Sequence, residues 1–402
     1  KLGRREFIVK GALAGIGLKF LPLAQGAAPS APVANRYGPL GRTGLKISDI
    51  SFGSSRLHVG QERLVLHAFD RGINYFDTAD TYTDGESETT IGNALRDKRD
   101  KVVLASKHLA WADESKESMM AALEGSLSRL RTDHIDVYFM HAVNDVARLK
   151  NHQWYEFAEL ARKQGKIRFS GLSGHAGRLS ECLDYAIDSG HFDVMLTAYN
   201  FGHDPAFYQR FFKRFDMVAL QPELPRLIMK AKQRGMGVIA MKTLMGARLN
   251  DMRPFENSGA TFSQAAFRWV LSNRDVDALI VTMTSQEMID EYVGASGTHS
   301  IAAADTLLLQ RYAEMNSSSQ CRQGCDACES SCPYEVPIAD VMRTRMYARD
   351  YGDIDFARRE YAMLDRNASA CLGCNAKPCA GACPHGVQTG ALLAPTHRML
   401  AR

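Results

Sequence analysis

The chain reads as an α/β protein, a (β/α)8 TIM barrel over residues 35–315 followed by a small, mainly α-helical domain over 316–402. Three observations predict this. Strand-like apolar runs recur at near-constant intervals and end in polar residues. The 402 residues, 45% of them hydrophobic, suffice for one large barrel and a second small core. Eight of the nine cysteines crowd into the last 82 residues.

The run NYFDTADTY (74–82) sets the pattern. Its apolar part, Ile73 to Phe76, stops at Asp77, and the polar loop beyond carries Asp80 and Tyr82. VVLASKH (102–108) delivers Lys107, IDVYFMH (135–141) delivers His141 and IRFSGLSGH (167–175) delivers Ser173. From Asp77 the steps are 30, 34 and 32 residues, the length of one strand, one helix and two short loops. Residues at the C-terminal ends of successive parallel strands converge on one face, which in a closed barrel carries the active site. Taken singly, Asp77 and Lys107 would serve as a structural ion pair and His141 as a satisfied interior histidine.

The remaining elements follow in order. Candidate strands are 47–53, 73–77, 102–107, 135–141, 167–172, 193–199, 237–242 and 278–283, with helical patterns between them such as SMMAALEGSLSRL (118–130). Eight strands over about 240 residues match the size of such a barrel. Asn200 ends the sixth strand, Lys242 the seventh and Thr282 the eighth. Cys182, in the helical pattern SECLDYAIDSG, reads as a small buried apolar group.

Asp77, Tyr82, Lys107 and His141, in this order and on these strands, resemble the catalytic tetrad of the aldo-keto reductases. RYGPLGRTGLKISDISFGS (36–54), SETTIGNAL (87–95) and GLSGH (171–175) also look like that family, and the similarity covers roughly residues 36–300. The resemblance implies NAD(P)-dependent hydride transfer to a small carbonyl substrate. Tyr82 would donate the proton, Lys107 would pull the phenol pKa below its usual value of about 10, Asp77 would hold Lys107, and His141 would orient the substrate oxygen.

The cofactor side departs from the family pattern. Where the familiar reductases hold the nicotinamide amide with Ser-Asn and Gln, this chain has Ser173-Gly174 and Thr197, and Met241 replaces the stacking tyrosine. Thr282 and Met288 fall where a Lys and an Arg usually clamp the NADP 2′-phosphate, so that clamp loses its charge-assisted bonds. Ser173, Asn200, Met241, Lys242, Thr282, Met283 and Met288 are the expected cofactor contacts. NADP or NAD is the expected nucleotide, and a barrel that has lost nucleotide binding is the competing expectation.

GRREFIVK (3–10) followed by GALAGIGLKFLPLA (11–24) resembles a twin-arginine export signal, and residues 1–34 are expected to be signal and linker. Export would place the protein in the periplasm or on the outer face of the cytoplasmic membrane, and an uncleaved signal would leave a membrane anchor. A net charge of +4 is too mild to argue for nucleic acid. No run of 18 apolar residues predicts a spanning helix.

After NSSSQ (316–320), which reads as a linker, the cysteines arrive in two runs, each ending in Cys-Pro. Cys321, Cys325, Cys328 and Cys332 are spaced C-x3-C-x2-C-x3-C-P, and Cys371, Cys374, Cys379 and Cys383 are spaced C-x2-C-x4-C-x3-C-P. Two [4Fe-4S] clusters are the favoured reading; zinc and disulfides compete with it. The 38 residues between the runs include a helical pattern over 336–364. That spacing resembles the α-helical ferredoxin domains of respiratory iron–sulfur subunits. The resemblance implies that Cys321, Cys325, Cys328 and Cys383 hold one cluster and Cys371, Cys374, Cys379 and Cys332 the other. A redox partner protein or membrane complex is then expected. The alternative to an active reductase is an electron-transfer or structural subunit of such a complex.

Overall fold

The computed structural model describes residues 31–402 except 176–177, 204–220, 246–251, 258, 260, 317–320, 322–324, 350–353 and 402. The expected twin-arginine motif and most of the expected linker lie outside the described residues. Residues Pro32–Arg402 form one compact unit.

A short antiparallel hairpin, β1 (Tyr37–Pro39) with β2 (Lys46–Ser48), comes first. Eight strands follow: β3 (Ile50–Gly53), β4 (Tyr75–Asp77), β5 (Val103–His108), β6 (Ile135–Met140), β7 (Ile167–Gly174), β8 (Val194–Ala198), β9 (Gly237–Met241) and β10 (Ala278–Thr282). All eight pair in parallel, each with its neighbours in sequence, and β10 closes on β3. Parallel neighbours need a crossover, and helices such as Glu62–Asp70, Lys116–Leu130 and Leu179–Ser189 supply it.

Each crossover helix forms for local reasons. Lys116–Leu130 starts at Ser115, whose hydroxyl accepts the Ser118 N–H at 3.2 Å, and stops at Arg131 in the left-handed region with φ 53°. It buries Met119, Leu123, Leu127 and Leu130, spaced to lie on one face. Cys182 is buried among the apolar residues of Leu179–Ser189, as expected.

Alternation along the strands separates two cores. Tyr75, Val103, Ala105, Val137, Phe139, Val194, Leu196, Ile239 and Ile280 fill the barrel interior together with Leu40, Leu45 and Ile47 from the hairpin. The hairpin therefore plugs the N-terminal end of the barrel. Phe52, Phe76, Leu104, Tyr138, Met195 and Val238, of opposite parity, pack outward against the helices. Gly41, at φ +51°, lies so close to the Gly237 backbone that a Cβ would collide with it.

The run expected as a single strand over 47–53 is divided at Asp49. Asp49 is buried, and its carboxylate accepts bonds from Ser296 Oγ at 2.5 Å and Gly297 N at 2.8 Å. That anchor turns the chain from the hairpin into the barrel.

The C-terminal region has its own small core. Val336, Ile338, Val341, Met342, Ala357, Tyr361, Val387, Leu393 and Leu400 pack with Cys328 and Cys379. The helical pattern over 336–364 forms two helices, Ile338–Arg349 and Ile354–Ala362, and a third, Thr389–Leu400, packs against both. Among the described residues no helix is long and apolar enough to cross a membrane.

Candidate active site

The interior parity of each strand continues into the mouth of the barrel. Asp77 follows Tyr75, Lys107 follows Ala105, His141 follows Phe139, Asn200 follows Ala198, and Thr282 follows Ile280, each two residues on. Alternation alone aims these side chains at the axis where the strands end.

Lys107 is the centre of the group and is buried. Its Nζ donates to Asp77 Oδ2 at 2.6 Å, to the Thr78 carbonyl at 2.6 Å and to Tyr82 Oη at 3.4 Å. The ammonium also stands 4.7 Å from the Tyr82 ring centre. The His141 ring meets Tyr82 edge-on, centres 5.6 Å apart. The four residues expected as a tetrad are thus one constellation.

Burial and charge oppose each other at Asp77, Lys107 and Tyr82 and act together at His141. Burial lowers the Lys107 pKa, but Asp77 and Tyr82 outweigh it and hold the ammonium charged above its ordinary range. Burial raises the Tyr82 phenol, and although Lys107 pulls it down, Asp77 and Glu360 help to keep it above its ordinary value. The expectation of a net lowered phenol is thereby corrected: desolvation outweighs the nearby cation. Burial lowers His141 well below its usual value, with Lys107, Arg148, His108 and Lys242 pushing the same way. At neutral pH His141 is an uncharged imidazole, and its Nδ1 has no hydrogen-bond partner among the described residues.

Two supports hold the loops in place. Thr83, at φ +49° after Tyr82, donates its hydroxyl to the Leu57 carbonyl at 2.6 Å. Arg148 donates to the carbonyls of Ala110, His141 and Ala142 at 2.7, 2.8 and 3.0 Å, and Ala142 sits at φ +51°. Left-handed backbone at non-glycine residues costs free energy and gathers at functional loops. His108 lies between two carboxylates, Asp80 Oδ2 at 2.6 Å and Glu114 Oε1 at 2.8 Å.

The expected cofactor residues divide. Ser173 Oγ accepts the Ala142 N–H at 2.9 Å, and Asn200 donates to the Lys242 carbonyl at 3.0 Å while accepting from Gly202 N at 2.9 Å. Met241 packs against the interior core at the mouth. Thr282 shares a 2.8 Å hydrogen bond with Ser55. Met283 is buried in the outer core and Met288 packs against it, so neither sulfur-bearing side chain serves as a phosphate ligand. Thr197 has the parity of Met195 and Tyr199 and points outward; the inward neighbours are Leu196 and Ala198. The position expected to substitute for a glutamine is therefore out of register by one residue.

The cysteines of the two runs interleave. Burial pushes the Cys328 thiol up to about 12, with Cys383 and Cys325 close enough to add to it. Burial raises Cys371 to about 11, with Cys332, Cys379 and Cys374 as its neighbours, and Cys332 and Cys374 also act on Cys379. The fourth cysteine of each run thus lies with the other run. Cys321 packs on the same small core. Among the described residues no three His, Cys, Asp or Glu side chains surround a single ion position.

The mouth also contains residues that no sequence pattern marked. Glu360 acts electrostatically on Tyr82 and Lys242, Arg343 on Lys242 and His175, and Tyr82 on Tyr347. Arg343, Tyr347 and Glu360 belong to the helices Ile338–Arg349 and Ile354–Ala362, some 200 residues or more beyond the tetrad. Only the i, i+4 placing of Arg343 and Tyr347 on one helical face was readable in advance.

Residues 52–257, just over half of the chain, match the model of the Aldo/keto reductase family. L-galactose dehydrogenase of Arabidopsis thaliana is 26% identical over 292 residues, covering 64% of this chain and 86% of that protein. Among solved structures, the aldo-keto reductase AKR11C1 from Bacillus halodurans, in its holo form, superposes with a TM-score of 0.55 at 21% identity. The match covers 69% of this chain and 96% of that one. The aldo-keto reductase from Klebsiella pneumoniae, solved in complex with NADPH, superposes with a TM-score of 0.51 at 23% identity, covering 69% and 94%. At these identities the two structures share the fold.

Proposed function

The chain belongs to the aldo/keto reductase family, and from that premise we propose that it is an oxidoreductase in which the barrel exchanges a hydride between a nicotinamide and a small carbonyl or alcohol. The observation that carries this reading is Lys107 Nζ, held by Asp77 at 2.6 Å and set 3.4 Å from the Tyr82 hydroxyl at the open end of the barrel. A bound nicotinamide supplies the hydride. Tyr82 gives its proton to the oxygen on which negative charge develops. Lys107 stabilises the phenolate left behind, and Asp77 keeps Lys107 charged. His141, uncharged, orients the oxygen through a hydrogen bond.

The residues present fit the nicotinamide end better than the phosphate end. Asp77 Oδ1 and His141 Nδ1 are buried polar atoms at the mouth without hydrogen-bond partners among the described residues, and they suit a group that brings its own donors or acceptors. At the far end, Thr282 is engaged with Ser55, and Met288 offers no cation. We therefore favour NAD over NADP. The same deficit favours the second reading, in which the barrel no longer turns over and serves as a subunit of a redox complex.

We further propose that residues 316–402 hold two [4Fe-4S] clusters for one-electron transfer to a partner. The all-thiol donor set and the exchange of the fourth cysteine between runs support this. Residues 1–34 are proposed as a twin-arginine signal that exports the protein with its clusters already in place, and 35–315 as the barrel.

The test uses protein purified anaerobically from the periplasmic and membrane fractions. The preparation should contain iron, acid-labile sulfide and near one nicotinamide nucleotide per chain. Tyr82→Phe should lower carbonyl reduction by roughly 100-fold or more with cluster absorbance unchanged. Retained turnover would remove Tyr82 from the role of proton donor, and a preparation without nucleotide that also fails to bind added NAD would move the assignment to the second reading.

A further inference from the structure

Tyr82 stands on a loop that its own backbone does not favour. Thr83 and Asp84, directly after it, are both left-handed, at φ +49° and +55°, although neither is a glycine. Such backbone persists only where the surroundings hold it. After Tyr82 the hold comes from Thr83, whose hydroxyl donates to the Leu57 carbonyl at 2.6 Å and accepts the Ser87 N–H at 3.1 Å. Before Tyr82 it falls on Asp80. The Asp80 N–H donates to the Lys107 carbonyl at 3.1 Å, and its carboxylate meets His108 Nδ1 at 2.6 Å. Lys107 and His108 are neighbours on β5, so one strand end grips the loop twice while the Lys107 ammonium meets Tyr82 Oη at 3.4 Å.

The His108 ring is bonded on both sides. Its Nε2 faces Glu114 Oε1 at 2.8 Å, an oxygen that also accepts the Ser118 hydroxyl at 2.8 Å, while Glu114 Oε2 accepts the Trp111 N–H at 3.1 Å. The side chains of His108, Asp80 and Glu114 are only 17, 15 and 11% exposed, so water competes weakly for these bonds. An ionised carboxylate only accepts, and a neutral imidazole has one N–H and one bare nitrogen. Both bonds therefore form at once only on the imidazolium. The other charged groups nearby are engaged elsewhere. Arg148, on the helix Val146–Leu149, directs its guanidinium to the carbonyls of Ala110, His141 and Ala142. Glu88, which with Asp80 acts on Tyr138, is bonded to Arg129 at 2.7 Å and to Ser106. Lys107 turns into the mouth toward Asp77, and the neutral His141 meets His108 through its backbone N–H, which donates to the His108 carbonyl at 2.8 Å. We propose that His108, as an imidazolium clamped between Asp80 and Glu114, is a positioning residue that sets the Tyr82 hydroxyl beside Lys107. Its effect on turnover rests on the reading of Tyr82 as proton donor; its hold on the loop does not. Burial disfavours the imidazolium, but the two carboxylates outweigh it and raise the His108 pKa above 6.5. The clamp is complete at low pH and loses one bond as pH climbs through that raised value.

The test uses the full-length chain, purified anaerobically, with its tyrosine rings labelled with carbon-13; the Tyr82 resonance is the one missing from Tyr82→Phe. In wild type this resonance should shift as pH rises through the His108 titration. His108→Gln, which carries no charge, should hold it at the high-pH position throughout, and His108→Lys, which keeps a charge, should return it toward the low-pH position. An identical Tyr82 resonance in wild type and His108→Gln at pH 6 would overturn the positioning role. Should His108→Gln fail to fold, Asp80→Asn breaks the same clamp from the loop side and should move the resonance in the same direction. Turnover is read with 4-nitrobenzaldehyde and NADH. At pH 6, His108→Gln should lower kcat by roughly 10- to 100-fold with KM nearly unchanged, the gap to wild type should close as pH rises, and His108→Lys should restore part of it. A wild-type chain that leaves the aldehyde unreduced while its Tyr82 resonance still follows His108 would count against the carbonyl-reducing reading and leave the positioning role standing. Aldehyde reduction by a chain whose Tyr82 resonance is indifferent to His108 would do the reverse.

Discussion

At Lys242 burial and the charge of Arg343 lower the pKa to about 8, against a smaller opposing pull from Glu360. His141 and His175 face the same space and are kept neutral there by burial first and cations second, so neither adds charge at neutral pH. Lys242 is thus charged below about pH 8 and neutral above it. The tetrad differs in that its cation is locked. Lys107 is held charged by Asp77 and stays so across that range, which keeps a proton-bearing Tyr82 beside a fixed positive charge.

The loops after β4 and β5 behave as elements joined by one histidine. Burial alone would lower the His108 pKa, but the hydrogen bonds to Asp80 and Glu114 outweigh it and raise it above 6.5. The sign of the linkage follows. A histidine whose folded pKa is raised contributes stability that is fully present below its unfolded value and is lost as pH climbs through the folded value. The stability gap between wild type and His108→Gln should therefore be largest below about pH 6.5, at roughly 1–2 kcal/mol, and shrink as pH rises. Chemical denaturation across pH 5.5 to 9 reads it, and a gap that grows with pH would refute the charged bridge from His108 to Asp80 and Glu114. Tyr82 sits just past Asp80 in the same loop, so the variant should also loosen its approach to Lys107. Of the elements themselves, the eight strands were legible from apolar runs ending in polar residues. The break at Asp49 was not, because its cause is a partner pair at Ser296 and Gly297, nearly 250 residues away.

Across the whole molecule, two cores meet at one mouth. The C-terminal core includes Cys328 and Cys379 among its few buried residues, and its helices carry Tyr347 and Glu360, which interact electrostatically with Tyr82. Under the cluster reading, Cys328→Ala should cost close to one cluster's worth of iron. It should also raise hydrogen exchange in the helices Ile338–Arg349 and Ile354–Ala362 and in the Tyr82 loop, while the barrel strands stay protected. Full iron content, or exchange confined to the C-terminal region, would sever the link between the clusters and the mouth.

By itself, the sequence determined the barrel, the order of its strands and the identity of Asp77, Tyr82, Lys107 and His141, because strand periodicity and parity are local and place every second residue on one face. It also marked the two cysteine runs, whose spacing is written within a dozen residues. Only the tertiary structure decided that Met283 and Thr197 turn away from the mouth, since a shift of one residue reverses the face and no local pattern fixes it. It likewise decided that Tyr82 is raised rather than lowered, and that Arg343 and Glu360 reach the site. Those outcomes depend on desolvation and charge summed over groups distant in sequence, and these sums exist only once the chain has closed around them.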